Sequence, residues 1–180
     1  HKRDAQHDKA AELLARAVTL DDANLDAHLE LAGLYTEHLE EPEKAARHID
    51  RVLRDRDTDP VALRLRLLLE LDRGDQQAAR HTSEALLAAA GNDDSMRAWA
   101  LVEIGRSELA AGDHGRAAEA LRGAVVLVGL DGEAAKIYGK LLGDKEPWDR
   151  YASALSEHIR SGRGKSSDTK RRTALYLELA

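Results

Sequence analysis

Apolar residues return every three or four positions along most of the chain, the period of a helix with one buried face. The clearest run is Ala98 to Ala124, in which Gly105, Ala117 and Ala124 are small, Leu121 is large, and Gly112-Asp113 forms a turn pair between them. Two helices that cross closely need this arrangement, with small side chains where the backbones meet and large ones in the groove beside them. The stripe Ala117, Leu121, Ala124, Val125, Val128 continues through Val125-Val126-Leu127-Val128, so this β-branched run reads as helix. Extended along the chain, the period predicts helices at about 4–20, 25–39, 42–55, 60–72, 75–90, 94–111, 114–128, 132–142, 147–161 and 168–180. The punctuation agrees. Pro42, Pro60 and Pro147 fall at helix starts, where a missing N–H costs nothing. Asp59, Asp93, Asp113 and Asp131 fall where a cap is wanted, and Gly74, Gly91, Gly112 and Gly143 fall just past helix ends. Gly105 is expected at a helix contact and Gly162 in a tolerant linker.

The helices repeat in pairs. The small residue Gly105 has counterparts in Ala32, Gly139 and Ala180. The tetrad Leu-Glu-Leu-Ala occurs at 29–32 and again at 177–180, a spacing of 148, or 37 for each of four repeats. Closing helices match as well, in Asp8 to Asp22 and Glu43 to Leu53, and Gly74 to Ala79 opens another. This helix–turn–helix pattern resembles the tetratricopeptide repeat, a unit of about 34 residues. The resemblance is strong over 8–55 and 98–125 and weak over 130–165. It divides the chain into a closing half-repeat at 4–22, repeats at 25–57, 60–91, 94–128 and 132–161, a linker at 162–167, and a further first helix at 168–180. Several positions depart from the pattern. Leu67, Leu68 and Leu69 stand where one small residue is expected, so the first helix of the 60–91 repeat is expected to be shifted or shortened. Tyr151 replaces an Ala, and the usual Trp is His28, Leu63, Leu101, Lys136 and Tyr176. The resemblance implies an all-α fold, an α-solenoid of about four to five stacked antiparallel helix pairs. Its Leu-rich, insertion-bearing repeats resemble long bacterial arrays, of which this chain reads as a fragment.

Composition narrows the function classes. With 33% charged and 43% hydrophobic residues the chain is made for a packed core, and with only two Trp, four Tyr and no Phe that core is aliphatic. An aromatic cage or base-stacking platform has little to be built from. The absence of Cys excludes disulfides and thiolate metal sites. No apolar run approaches a membrane span and no signal pattern opens the sequence, so a cytoplasmic location is the expectation. A formal net charge of −6 argues against nucleic acid as a partner.

The sequence carries few residues in patterns that suit chemistry. Gly162-Arg163-Gly164-Lys165-Ser166 lacks the first glycine of a phosphate loop, Ile159 standing in its place, and it follows a predicted helix instead of a strand. The basic stretch Arg160, Arg163, Lys165, Lys170, Arg171, Arg172 reads as a solvated linker. His28, His38 and His48 are ten residues apart and do not share a face of one helix, so no metal and no cofactor is expected. Acid pairs such as Asp21/Asp22 and Asp93/Asp94 are explained by helix capping. Nothing indicates an enzyme.

The resemblance implies a binding surface on the concave side, lined by the first helix of each pair. The inward positions are Asp26, Leu29 and Gly33, then Trp99, Val102 and Arg106, then Glu133, Lys136 and Lys140, with Arg64 the equivalent in the divergent repeat. Trp99 is either an exposed anchor for a partner or, with the register shifted by one, core. The cations Arg64, Arg106, Lys136 and Lys140 point to a peptide, helix or loop of a protein partner with acidic character. The expectation is a protein–protein interaction scaffold. The alternatives are a structural subunit that self-associates through its repeat ends, and, with no constellation behind it, a helical enzyme.

Overall fold

The computed structural model describes residues 2–129, 132–143 and 157. Among them are eight helices: α1 (Lys2–Leu20), α2 (Leu25–Glu37), α3 (Pro42–Asp55), α4 (Pro60–Asp72), α5 (Gln76–Ala89), α6 (Asp94–Ala110), α7 (His114–Val128) and α8 (Glu133–Leu142). There is no strand among the described residues, and Val125–Val128 is helical as its stripe requires. The first helices α2, α4, α6 and α8 begin at 25, 60, 94 and 133, spacings of 35, 34 and 39 that reproduce a repeat with a short insertion before the last. α4 is thirteen residues long, the same as α2, so the expected shortening of the 60–91 repeat does not occur. Its extra leucines are accommodated by burying Leu67 and Leu69 while Leu68 stays partly exposed. The helix expected at 168–180 and all but Glu157 of the one expected at 147–161, with Pro147, Gly162 and the linker, lie outside the described residues.

The chain divides into two compact units, His1–Gly91 and Asn92–Ala180. In the first, α1 packs on α2, α2 on α3 and α4, α3 on α4, and α4 on α5. Its core joins Ala11, Leu31, Ala32, Tyr35, Ala45, Ile49, Leu65 and Leu69. In the second, α6 packs on α7, and α8 on both. That core holds Ala98, Val102, Leu121, Ala124, Val125, Ala134 and Tyr138. The turns inside the pairs are too short for anything but antiparallel neighbours.

A shared turn chemistry makes the pairs. At the end of α4, Gly74 takes φ 70°, its N–H donates to the Leu71 carbonyl, and the Asp75 N–H donates to the Glu70 carbonyl. At the end of α6, Gly112 takes φ 80° and the same two bonds run to Leu109 and Glu108. This closure needs a left-handed residue after the helix, which glycine supplies without steric cost. The next residue then starts the partner helix: Asp75 accepts from the Ala78 N–H and Asp113 from the Arg116 N–H, both at 3.0 Å. Asp59 and Asp93 cap α4 and α6 in the same way, and Pro42 and Pro60 stand in the first turn of α3 and α4. α8 differs: Gly132 precedes it without a side-chain cap, and Asp131 lies outside the described residues.

Gly105 meets the expectation placed on it. A Cβ there would lie 2.6 Å from Cγ and 2.9 Å from Cδ2 of Leu121, whose side chain is fully buried. The branch point of a buried leucine has nowhere to go, so overpacking is the result. Gly33 on α2 has nothing within 4 Å of an added Cβ. Gly105→Ala is therefore expected to lose about 1–3 kcal/mol. Gly33→Ala should gain up to about 1 kcal/mol from helix propensity. Urea melts of the two variants check this, and equal effects would refute the crossing at Gly105.

Candidate interaction surface

The first helices carry the expected inward positions, and the structure distributes them unequally. Val102 is a correction. It is 7% exposed and packs in the core with Leu121 and Tyr138, because the small-residue face of α6 is broad enough to include it. Trp99 is half-buried and already engaged with a neighbouring group. Leu29 is partly buried on α2, and Lys136 and Lys140 are exposed on α8. Gly139 on α8 has nothing within 4 Å of an added Cβ, and the helix expected to cross it is outside the described residues.

Two of the four cations are tied to carboxylates. Arg106 on α6 pairs with Glu133 on α8 and lies 3.6 Å from Glu103. Both Arg106 and Glu133 were assigned to the inward face, and their contact places them on one side of the α6–α8 pair. In the first unit, Arg64 on α4 approaches Glu37 on α2 at 3.5 Å. These ties link consecutive first helices and neutralise the charge that was to attract an acidic ligand. Lys136 and Lys140 form no ion pair with another described residue.

Between α2 and α4 in the first unit is a cleft of about 560 Å³ that the sequence did not announce, lined by Tyr35, Thr36, Pro42, Leu68 and Leu69 together with the acids Glu37, Glu40 and Asp72. Its lining has three carboxylates and no cation. Glu37 and Asp72 are the last residues of α2 and α4, and neither helix has a basic residue in its last turn. An acid at a helix C-terminus opposes the helix dipole, where a cation would contribute about 0.3–1 kcal/mol. Arg73 follows Asp72, and its guanidinium is turned toward Glu43 at 3.9 Å. Lys44 lies over the Tyr35 ring at 5.3 Å and is held by Glu41 at 2.6 Å. Glu40 has φ 51°, an unusual value for a residue with a side chain, and its strain is of the order of 1 kcal/mol.

The histidines make a further arrangement. His28 on α2 and His48 on α3 face each other with Nδ1 to Nδ1 at 2.8 Å. His48 also stacks on Tyr35, and His7 stacks on His38 with ring centres 4.0 Å apart. A single-helix test of the ten-residue spacing could not find this pair. The signal was symmetry about the turn: His38 caps α2, and His28 and His48 are equidistant from it, which antiparallel pairing brings together. One ring donates and the other accepts, so two fully protonated rings would set N–H against N–H. His28 is buried and its Nε2 has no hydrogen-bond partner, Asp22 being 3.6 Å away. No group of three or more acidic or imidazole ligands among the described residues could hold a metal ion.

No family model matches the sequence, and no curated protein matches it. Among solved structures, the crystal structure of MamA is similar, with a TM-score of 0.70 and 18% identity over 88% of this chain and 90% of that one. MamA is a helical solenoid of the tetratricopeptide-like kind.

Burial, reinforced by His28 and Arg47, holds the His48 imidazole below its usual range. The unfolded chain protonates this ring near about pH 6.5 and the folded chain at a lower value. The stability it contributes is thus present above about pH 6.5 and lost as pH falls through the folded value. The melting temperature is expected to fall between about pH 7.5 and about pH 5.5, and to fall less in His48→Asn. A pH series of thermal melts on both proteins checks it.

The described part of the chain has the all-α, paired-helix architecture of a tetratricopeptide-like solenoid.

Proposed function

We propose that this chain is a protein-interaction scaffold that receives a peptide or protein segment on the exposed faces of its first helices, without bond chemistry. The observation that supports it best is the cleft between α2 and α4, two consecutive first helices, which sets Leu68, Leu69 and Pro42 beside three carboxylates. Ligand sites are concave, mostly apolar and oriented by a few polar groups. The fold similarity to MamA agrees, since such repeats build extended concave surfaces. On α8, Lys136 and Lys140 offer a second point of attachment, suited to a carboxylate-bearing segment. No helix among the described residues is long and apolar enough to cross a membrane.

A second reading has its own observation. Leu13 on α1 is 57% exposed and Leu20 is 89% exposed, an uncovered apolar edge against which another repeat could stack.

Selection of random displayed peptides against the intact chain separates the two. Selected peptides should lose affinity on charge reversal at Lys136 and Lys140 or at Glu40 and Asp72, without a fall in stability that would account for it, because exposed charges orient a partner and add little to folding. Peptides indifferent to these reversals, together with self-association that Leu13→Glu and Leu20→Glu abolish in sedimentation velocity, would reject the groove and support the stacking subunit.

A further inference from the structure

We infer that the α2–α4 cleft takes a cationic segment with an aliphatic neighbour: a Lys or Arg side chain between Glu37, Glu40 and Asp72, and an apolar one on Leu68, Leu69 and Tyr35. This rests on the scaffold reading and specifies the partner's chemistry at one of its sites. Charge complementarity carries it. Three carboxylates edge the cleft and no cation lines it. Glu40 and Asp72 form no ion pair with another described residue, and Glu37 has only the long contact to Arg64. The backbone adds to the same sign. The C-terminal ends of α2 and α4 both border the cleft, each finishing on an acid and each without a basic residue in its last turn. The carbonyl ends of two helices and their acids therefore set up a negative potential over an apolar floor. Of the cations beside it, Lys44 is committed to Glu41 and Arg73 is turned toward Glu43, while Arg64 approaches Glu37 alone of the three carboxylates. A Lys or Arg from a partner supplies what both helix ends lack, and the aliphatic stem of such a side chain covers the leucines on its way in.

The sign is opposite to the acidic ligand expected from Arg64, Arg106, Lys136 and Lys140, because the one of these cations beside the cleft is already turned to a carboxylate. Arg64 is turned toward Glu37, on the cleft's own edge, and it leaves Glu40 and Asp72 unmatched.

The probes are two capped hexapeptides titrated into the intact chain, Lys-Arg-Leu-Leu-Arg-Lys and its acidic counterpart Glu-Asp-Leu-Leu-Asp-Glu, with methyl chemical shifts and fluorescence anisotropy as readouts. The cationic peptide is expected to shift the Leu68 and Leu69 methyl signals and to bind more weakly as salt is added. Its affinity should drop by about tenfold or more in the double variant Glu40→Gln, Asp72→Asn, with the melting temperature not lowered. Both substituted side chains are exposed and the replacements nearly isosteric, so folding is not at stake. Equal binding to the double variant, or binding that leaves Leu68 and Leu69 unmoved, overturns the assignment. Binding of the acidic peptide alone, lost on reversing Lys136 and Lys140, overturns it while leaving the scaffold reading in place. Binding of neither peptide also overturns it, and the displayed-peptide selection then decides the scaffold reading separately.

Discussion

The close approach of the two helices within a pair is the constraint on which the rest depends. Where α6 crosses α7, Gly105 leaves space that the Leu121 side chain fills completely, to the point that one added carbon would overlap it. In the first unit Ala32 and Ala45 are both fully buried in the shared core of α2, α3 and α4. An aliphatic core with few aromatics can reach interior density only if the helices come this near. Their approach then fixes which residues of each first helix remain outside, and so what the protein can offer a partner.

That surface is organised by charge pairing between neighbouring helices. Arg106 reaches from α6 to Glu133 on α8, Arg64 from α4 toward Glu37 on α2, and Arg56 from beyond α3 to Asp26 on α2 at 3.0 Å. Each pair is exposed or nearly so and is worth little in stability. Their effect is to cancel charge in some places and leave it in others. Cancellation is incomplete at the C-terminal ends of α2 and α4, where acids meet carbonyls, and on α8, where two lysines stand unmatched among the described residues. The surface is therefore not uniformly acidic despite the net charge of −6. It carries local fields of both signs, which give specificity more than raw affinity.

The paired imidazoles between α2 and α3 are a polar contact inside a helix pair otherwise closed by Ala32, Ala45 and Ile49. His28 occupies the place where the resembled repeat has Trp, and His48 fills the facing position, flat against Tyr35. The two rings share one hydrogen bond, so the packing of this pair is sensitive to protonation, which an apolar contact would not be.

Helix positions, caps and the repeat spacing were legible in the sequence because each is decided locally. The 3.6-residue period marks the buried face, an Asp in front of it satisfies the free N–H groups, and a Gly behind it takes the left-handed turn. The Gly105 crossing was legible too, since only close contact calls for a glycine opposite a large residue within a helical stripe. Tertiary packing decided the rest. Val102 looked inward to a partner by counting along α6, yet the width of the α6–α7–α8 core took it in. Arg64 and Arg106 looked like free cations until neighbouring helices brought Glu37 and Glu133 to them. The cleft at Leu68 and Leu69 and the His28–His48 bond each join residues of different helices, so no pattern within one helix contains them. The sequence by itself determined the helices and their pairing, whereas which charges meet and which remain for a partner depended on distances that only the packed helices define.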